Sequence, residues 1–232
     1  MARIDPVRRA KIGRERRRLT RARLLDSAFR MFGRTHGRNT RIEDICAAAG
    51  VARGTFYTYY KGLEPLLQEL SRQLTRDFNR EVHVALRKLP DAVERTSAAI
   101  RYFLHATLAY PRWGWALVNS SVGRHLYGAA LARLALASIQ EGIDTGEFRL
   151  PGAEVGRDIV LGAGFAASIT LLRGPTPPDY AEQVARQLLI GLGVSGSKAR
   201  RVATRSLQTL PAPAFMTLVV RDESALAQSQ RR

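Results

Sequence analysis

The segment between residues 40 and 60 constrains the fold more than any other. Thr40-Arg-Ile-Glu43 reads as a capping box, in which the Thr hydroxyl accepts from a backbone N–H three residues on and the Glu carboxylate reaches back. The helix that starts there turns Ile42, Ile45, Cys46 and Ala49 inward, and its run of three alanines lets another helix approach closely. Gly50 supplies a left-handed turn position that a side chain would resist. Val51 buries, and a short helix follows over roughly residues 52–59. Phe56 and Tyr60 lie on its inner side, with Arg53, Thr55, Tyr57 and Thr58 on its outer side. Helix, glycine turn, helix is the helix-turn-helix pattern. By its mechanics the second helix enters the major groove of DNA, where the Arg53 fork suits guanine O6 and N7. The bland alternative is a helical hairpin with an exposed arginine.

Charge favours the DNA reading. The 232 residues carry 37 Lys plus Arg against 20 Asp plus Glu, a formal net charge of +17, which points to a polyanion. Residues 1–60 hold 15 basic and 5 acidic groups, so a quarter of the chain carries more than half of the excess. Residues 8–18 hold seven cations with only Glu15 opposed, among them Arg16, Arg17 and Arg18. Such a run is either a solvated arm or an arm that reaches DNA phosphates or a minor groove. Thr20 then caps a first helix bearing Leu24, Leu25, Ala28, Phe29 and Phe32 on one face, which ends at Gly33 and Gly37.

On these residues the chain resembles the tetracycline-repressor (TetR/AcrR) family of bacterial regulators. Residues 45–50 and 54–60 carry most of the resemblance, which covers roughly residues 20–70; the remainder agrees in length and helical character. The resemblance implies an N-terminal DNA-binding domain, a larger helical domain for ligand binding and dimerisation, and repression relieved by a small molecule. It implies phosphate contacts from Thr40, Arg41 and Tyr57 and base contacts from Arg53 and Thr55, and it places Tyr59 where the family often has histidine. One position departs: Leu63 stands where the family commonly has lysine, which puts that phosphate contact in doubt and leaves Lys61 to supply it.

The fold class expected is all-α throughout. The chain has 32 Ala and 28 Leu against 14 Val and 10 Ile, and strict apolar/polar alternation is scarce. The expected organisation is a basic arm over 1–18, the DNA-binding domain over 19–66, a helical ligand-binding and dimerisation domain over 67–210, and a disordered tail over 211–232. Helices are expected over roughly 64–88, 91–110, 111–121, 127–143, 153–173, 176–192 and 197–210. Asp91 caps the second, and Thr176-Pro177 starts the sixth. The longest apolar run, residues 159–172, is 14 residues long and too short for a membrane span of about 20, so a buried core helix is expected.

Aromatic and polar groups collect in the middle of the chain, and aromatics at helical spacing are core more often than pocket. A bundle binds small molecules in a cavity between its helices, and the resemblance implies one here. Tyr102, His105, Trp113, Trp115 and Asn119 are the expected lining. The small residues of 162–168 cannot fill a core alone. They make either a tight intrachain helix pair or, as the resemblance favours, a homodimer interface through Gly164, Ala167, Leu171, Val184 and Leu188.

Catalytic and metal-binding patterns are missing. The four histidines, His36, His83, His105 and His125, lie apart and form no i, i+4 pair; there is no His-Glu-x-x-His and no phosphate-binding loop. No cofactor or metal is expected, and the protein is expected not to be an enzyme. Cys46, the single cysteine, excludes an internal disulfide and is expected to be an inert buried thiol. The N-terminus is charged from Arg3 onward without an apolar export segment, so a cytoplasmic protein without membrane contact is expected. Two readings remain: a dimeric regulator of a DNA operator that responds to a small-molecule effector, and a non-specific binder of DNA or membrane surfaces acting through charge alone.

Overall fold

The computed structural model describes residues 6–121 and 129–211. Among them the secondary structure is helical throughout: α1 (Pro6–Phe32), a short 3-10 turn (Gly37–Asn39), α2 (Ile42–Ala49), α3 (Arg53–Tyr59), α4 (Leu63–Leu86), α5 (Ala92–Ala109), α6 (Pro111–Ser120), α7 (Ala129–Asp144), α8 (Ala153–Arg173), α9 (Tyr180–Gly191) and α10 (Gly196–Ala203). The head, α1 to α3, packs Leu24, Ala28, Phe32, Ile45 and Phe56 into a dry centre. Gly50 ends α2 at φ 61°, in the left-handed region. Arg23 of α1 adds a second cap there, its guanidinium donating to the carbonyls of Ala49 and Gly50.

Several helix starts differ from the sequence reading. Thr20 does not begin α1; the helix runs back to Pro6. Residues 8–18 are rich in straight-chain helix formers and contain no proline, and Glu15 pairs with Arg18 one turn on, so nothing in them stops a helix. The cap of α2 sits one residue later than expected: the Arg41 N–H donates to the Asp44 carboxylate at 2.8 Å. α9 begins at Tyr180 instead of Pro177, because Pro178 follows Pro177 and a residue before proline avoids helical geometry. α10 stops at Ala203, and residues 204–211 continue without helix. The Asp91 cap on α5 is as expected, accepting from the Glu94 N–H at 2.7 Å. The expected tail over 211–232 lies, apart from Pro211, outside the described residues, as does Tyr127 at the expected start of α7.

Head and bundle share one hydrophobic cluster, which runs from Leu24 and Phe32 through Leu66 and Leu70 of α4 to Trp113 and Leu117 of α6. α1 meets α6 closely: a Cβ on Gly33 would lie 2.6 Å from the Arg112 side chain. A second clasp joins α1 and α4, where Arg21 and the Tyr60 hydroxyl both donate to the Glu69 carboxylate. Burial pushes the Tyr60 pKa up to about 12, so the hydroxyl keeps its proton.

α8 departs from the expectation of a buried core helix. It is 21 residues long and apolar enough to cross a membrane by length and composition, yet 28% of its most apolar window is buried. One face packs inward through Leu161, Ala167 and Leu171. The opposite face, Val155, Ile159, Gly162, Ala166 and Ile169, follows the i, i+3, i+4 spacing of a stripe and is partly or fully exposed, with Ile159 at its edge also packed against the cluster of α5 and α9.

Candidate functional site

The outer surface of the head is made by α2, α3 and the turn before α4. Arg41, Arg53, Tyr57 and Lys61 are exposed; Thr40, Thr55 and Tyr59 are partly buried at its edge. Phe56 beneath them is fully buried and meets the Tyr57 ring edge-on at 5.5 Å between centroids. The Arg53 guanidinium lies 5.8 Å from the centre of the Tyr57 ring and 2.9 Å from a Glu43 carboxylate oxygen. Because Asp44 closes the cap of α2, Glu43 is free to make this contact. The sequence reading assigned the cap to Glu43 and so missed its pairing with Arg53. Leu63 opens α4, and Lys61 stands exposed two residues before it. Arg16, Arg17 and Arg18 are exposed on the N-terminal half of α1. Burial raises the Cys46 thiol pKa, and the carboxylate of Glu43 adds to the effect.

The bundle contains a cavity of about 130 Å³ between α4, α5, α7 and α8. Val82 and Leu86 come from α4, Ile100 and Phe103 from α5, Leu134 and Ile139 from α7, and Val160, Leu161 and Gly164 from α8. Polar groups reach the same walls: Asn79 and His83 on α4, Arg95 and Thr96 on α5, and Ser138 on α7. None of the five residues expected to line a pocket is among them. Each is held elsewhere. Tyr102 donates to the Gln208 carbonyl at 2.8 Å, and the Trp113 indole to the Leu74 carbonyl at 3.0 Å. Asn119 donates to the carbonyls of Phe32 and Arg34, both at 2.8 Å, so its amide clasps the end of α1. Trp115 is buried in α6. His105 is exposed and lies 3.1 Å from Glu182, which also receives Arg101 at 3.0 Å. Burial raises the Glu182 pKa, but its own backbone N–H, Arg101 and His105 together hold it below the ordinary carboxylate range.

The family model of the tetR family of bacterial regulatory proteins matches residues 24–70, the head from the last third of α1 onward and the first third of α4. That of the tetracyclin repressor-like C-terminal domain matches residues 91–205, which take in every helix from α5 to α10. The chain belongs to the TetR family. This is a family of bacterial regulatory proteins. Curated TetR-family relatives include the HTH-type transcriptional regulators BetI of Brucella abortus, 31% identical over 97 residues, and of Agrobacterium fabrum, 34% identical over 90 residues. Those matches take in 42% and 39% of this chain and 48% and 43% of the relatives, so the chain spans about half the length of the curated relatives it matches. Among solved structures, RolR without ligand superposes with a TM-score of 0.66 at 25% identity, covering 82% of this chain and 100% of RolR. FadR of Bacillus subtilis, solved with stearoyl-CoA, superposes with a TM-score of 0.57 at 18% identity, covering 75% of this chain and 98% of FadR.

Within this TetR-family bundle the five residues expected at a dimer interface face mostly inward. Ala167, Leu171 and Leu188 pack with Ile100 and Leu104 of α5 inside the protomer, Val184 lies against the same cluster, and Gly164 faces the cavity. An all-round apolar helix has no sequence signal for which side faces its own core. The exposed stripe on α8 lies about half a turn from these residues by the 3.6-residue period. It adjoins α9, where the Cβ position of exposed Gly191 lies 4.0 Å from Ile159. A Cβ at Gly162 would meet nothing within 4 Å.

Proposed function

We propose that this TetR-family regulator acts in the cytoplasm as a homodimeric repressor of a palindromic operator, and that a small, largely apolar ligand in the α4–α5–α7–α8 cavity changes its DNA affinity. The observation that carries the reading is the reach of α4. Its first turn follows the recognition helix α3, and its last turns supply Asn79, Val82, His83 and Leu86 to the cavity wall. A ligand that shifts these residues shifts the head. Arg53 and Thr55 read base edges; Thr40, Arg41, Tyr57, Tyr59 and Lys61 hold phosphates; and Arg16, Arg17 and Arg18, carried on a helix, add sequence-independent attraction.

The homodimer uses the exposed stripe of α8 with the adjoining face of α9. An apolar stripe of this length is covered by a partner in water, and the bare side of Gly162 lets a second helix approach closely. Two recognition helices then meet two half-sites about 34–36 Å apart, one turn of DNA.

Ligands in the neighbouring structures support an effector in the bundle without fixing its class: RolR has been solved with resorcinol and FadR with stearoyl-CoA. Linkage tests the whole reading. If ligand alters operator affinity through about 1–3 kcal/mol of coupling, operator must alter ligand affinity by the same factor. Titration of bound ligand with and without operator checks it, and equal dissociation constants would remove regulation from the cavity. The charge-only alternative fails if operator is preferred over random DNA by about a thousandfold or more.

A further inference from the structure

The geometry points to one class of effector for the cavity: a neutral molecule of single-ring size that carries a hydroxyl or carbonyl group bound by Thr96. This inference rests on the cavity being the effector site.

Size comes first. An apolar protein cavity of about 150 Å³ holds one benzene ring. The volume here is about 130 Å³, room for a single ring, and exposed His83 and Leu134 mark the side on which the cavity opens to solvent. Val82, Leu86, Ile100, Phe103, Leu134 and Leu161 supply apolar wall on every helix that bounds it.

Charge comes next. Arg95 is the cation at the wall, and it is already matched: it donates to the Leu89 carbonyl at 3.0 Å and to Glu141 at 2.6 Å. His83 is exposed. A carboxylate entering the hole would give up water without gaining a free cation, which is costly. A neutral ligand avoids that cost.

Polarity comes last. Thr96 is 6% exposed, and its hydroxyl oxygen is buried without a hydrogen-bond partner. Buried polar atoms are nearly always paired, and a rotation about χ1 that exchanges the Thr96 methyl and hydroxyl would offer this orphan to a ligand in the cavity. Among the described residues the side chains of half-buried Asn79 and Ser138 also make no hydrogen bond, so a second polar atom on the ring would find a partner on α4 or α7. The Thr96 hydroxyl both donates and accepts, so it suits either a hydroxyl or a carbonyl.

Phenol, toluene, benzoate and decanoate form the probe set, with binding to the full chain measured by calorimetry at neutral pH. Phenol is expected to bind, and to bind about tenfold more tightly than toluene, because toluene leaves the Thr96 hydroxyl unpaired. Benzoate and decanoate are expected to be weaker than phenol. Thr96→Val keeps the shape and should erase the preference for phenol over toluene, while Thr96→Ser should retain it. Gly164→Leu should abolish phenol binding by filling the hole, since nothing lies within 4 Å of the Cβ position there. Equal binding of phenol and toluene, tightest binding by benzoate or decanoate, no phenol binding, or a preference that survives in Thr96→Val would each overturn the inference. Operator affinity measured on the same samples separates it from the reading beneath it. Phenol that binds through Thr96 yet leaves operator affinity unchanged sustains the class and sinks regulation through the cavity. Decanoate that releases operator where phenol does not sustains regulation and sinks the class.

Discussion

Head and bundle place their polar groups on opposite sides of their walls. In the head, a small apolar centre holds α3 rigid while Arg41, Arg53, Tyr57 and Lys61 project into solvent. In the bundle, Asn79, Thr96 and Ser138 line a partly open cavity, and the outer stripe of α8 is apolar. The head therefore works on a polyanion through charge that salt can screen. The bundle works through volume and a few hydrogen bonds.

The largest expected break in this comparison comes from the apolar stripe. Ala166→Arg places a charge on a face exposed in the protomer, so the fold should survive while the proposed dimer separates. Operator affinity should fall by about 10²–10⁴-fold as the second half-site is lost. Sedimentation velocity and a mobility shift on the same sample check this, and a variant that stays dimeric would move the interface off α8.

The arm is the next test. Deleting residues 2–18 removes seven cations between positions 8 and 18. Affinity for every sequence should fall together, and the salt dependence should flatten by close to one log–log unit for each phosphate that the arm neutralises. A loss confined to the operator would mean that the arm reads a minor groove.

Arg53 and Glu43 sharpen the head from within. Arg53→Ala should cost about 1–3 kcal/mol of operator binding and relax preference at one base pair in each half-site. Glu43→Gln should act in the opposite direction on random DNA. It frees Arg53 from its 2.9 Å ion pair and removes a negative charge from a surface that faces phosphates. Random-DNA affinity should rise more than operator affinity, so the specificity ratio drops. An unchanged ratio in paired binding isotherms would reduce Glu43 to a bystander.

The smallest effect belongs to the bundle and to acid. Glu182 has a lowered pKa when folded, so its contribution to stability is fully present above its unfolded pKa and is lost as pH falls through the folded value. Thermal melts from pH 6 downward should therefore show Glu182→Gln converging with the parent chain below the ordinary carboxylate range. A constant gap across that window would refute the assignment.

What the sequence made legible follows the range of each interaction. Gly50, the Asp91 cap, and inward Phe56 and Tyr60 are set by neighbours within a turn or two, and the residues alone reveal them. Asn119 and Trp113 resemble pocket residues because their type suits a pocket. Their partners, the carbonyls of Phe32, Arg34 and Leu74, lie dozens of positions away and leave no local trace. The cavity is built largely from aliphatic residues on four helices, with Phe103 its aromatic contribution, so a search for clustered aromatics looks in the wrong place. The inward and outward sides of α8 are chemically alike, and the packing of α5, α6 and α7 against one of them tells the two apart.

The Asn119 amide has a consequence for how such regulators can be recombined. Its two donated bonds close the carbonyls where α1 ends, and they come from the bundle. The head is thus not a cassette that can be moved freely. A chimera that joins residues 1–66 to another bundle leaves those two acceptors bare unless the recipient presents an amide at the same spot, and Gly33 demands that its α6 come as near. Recipients that already carry this pairing would accept the head as a working replacement, and the others would yield chimeras whose recognition helices are present but poorly aimed.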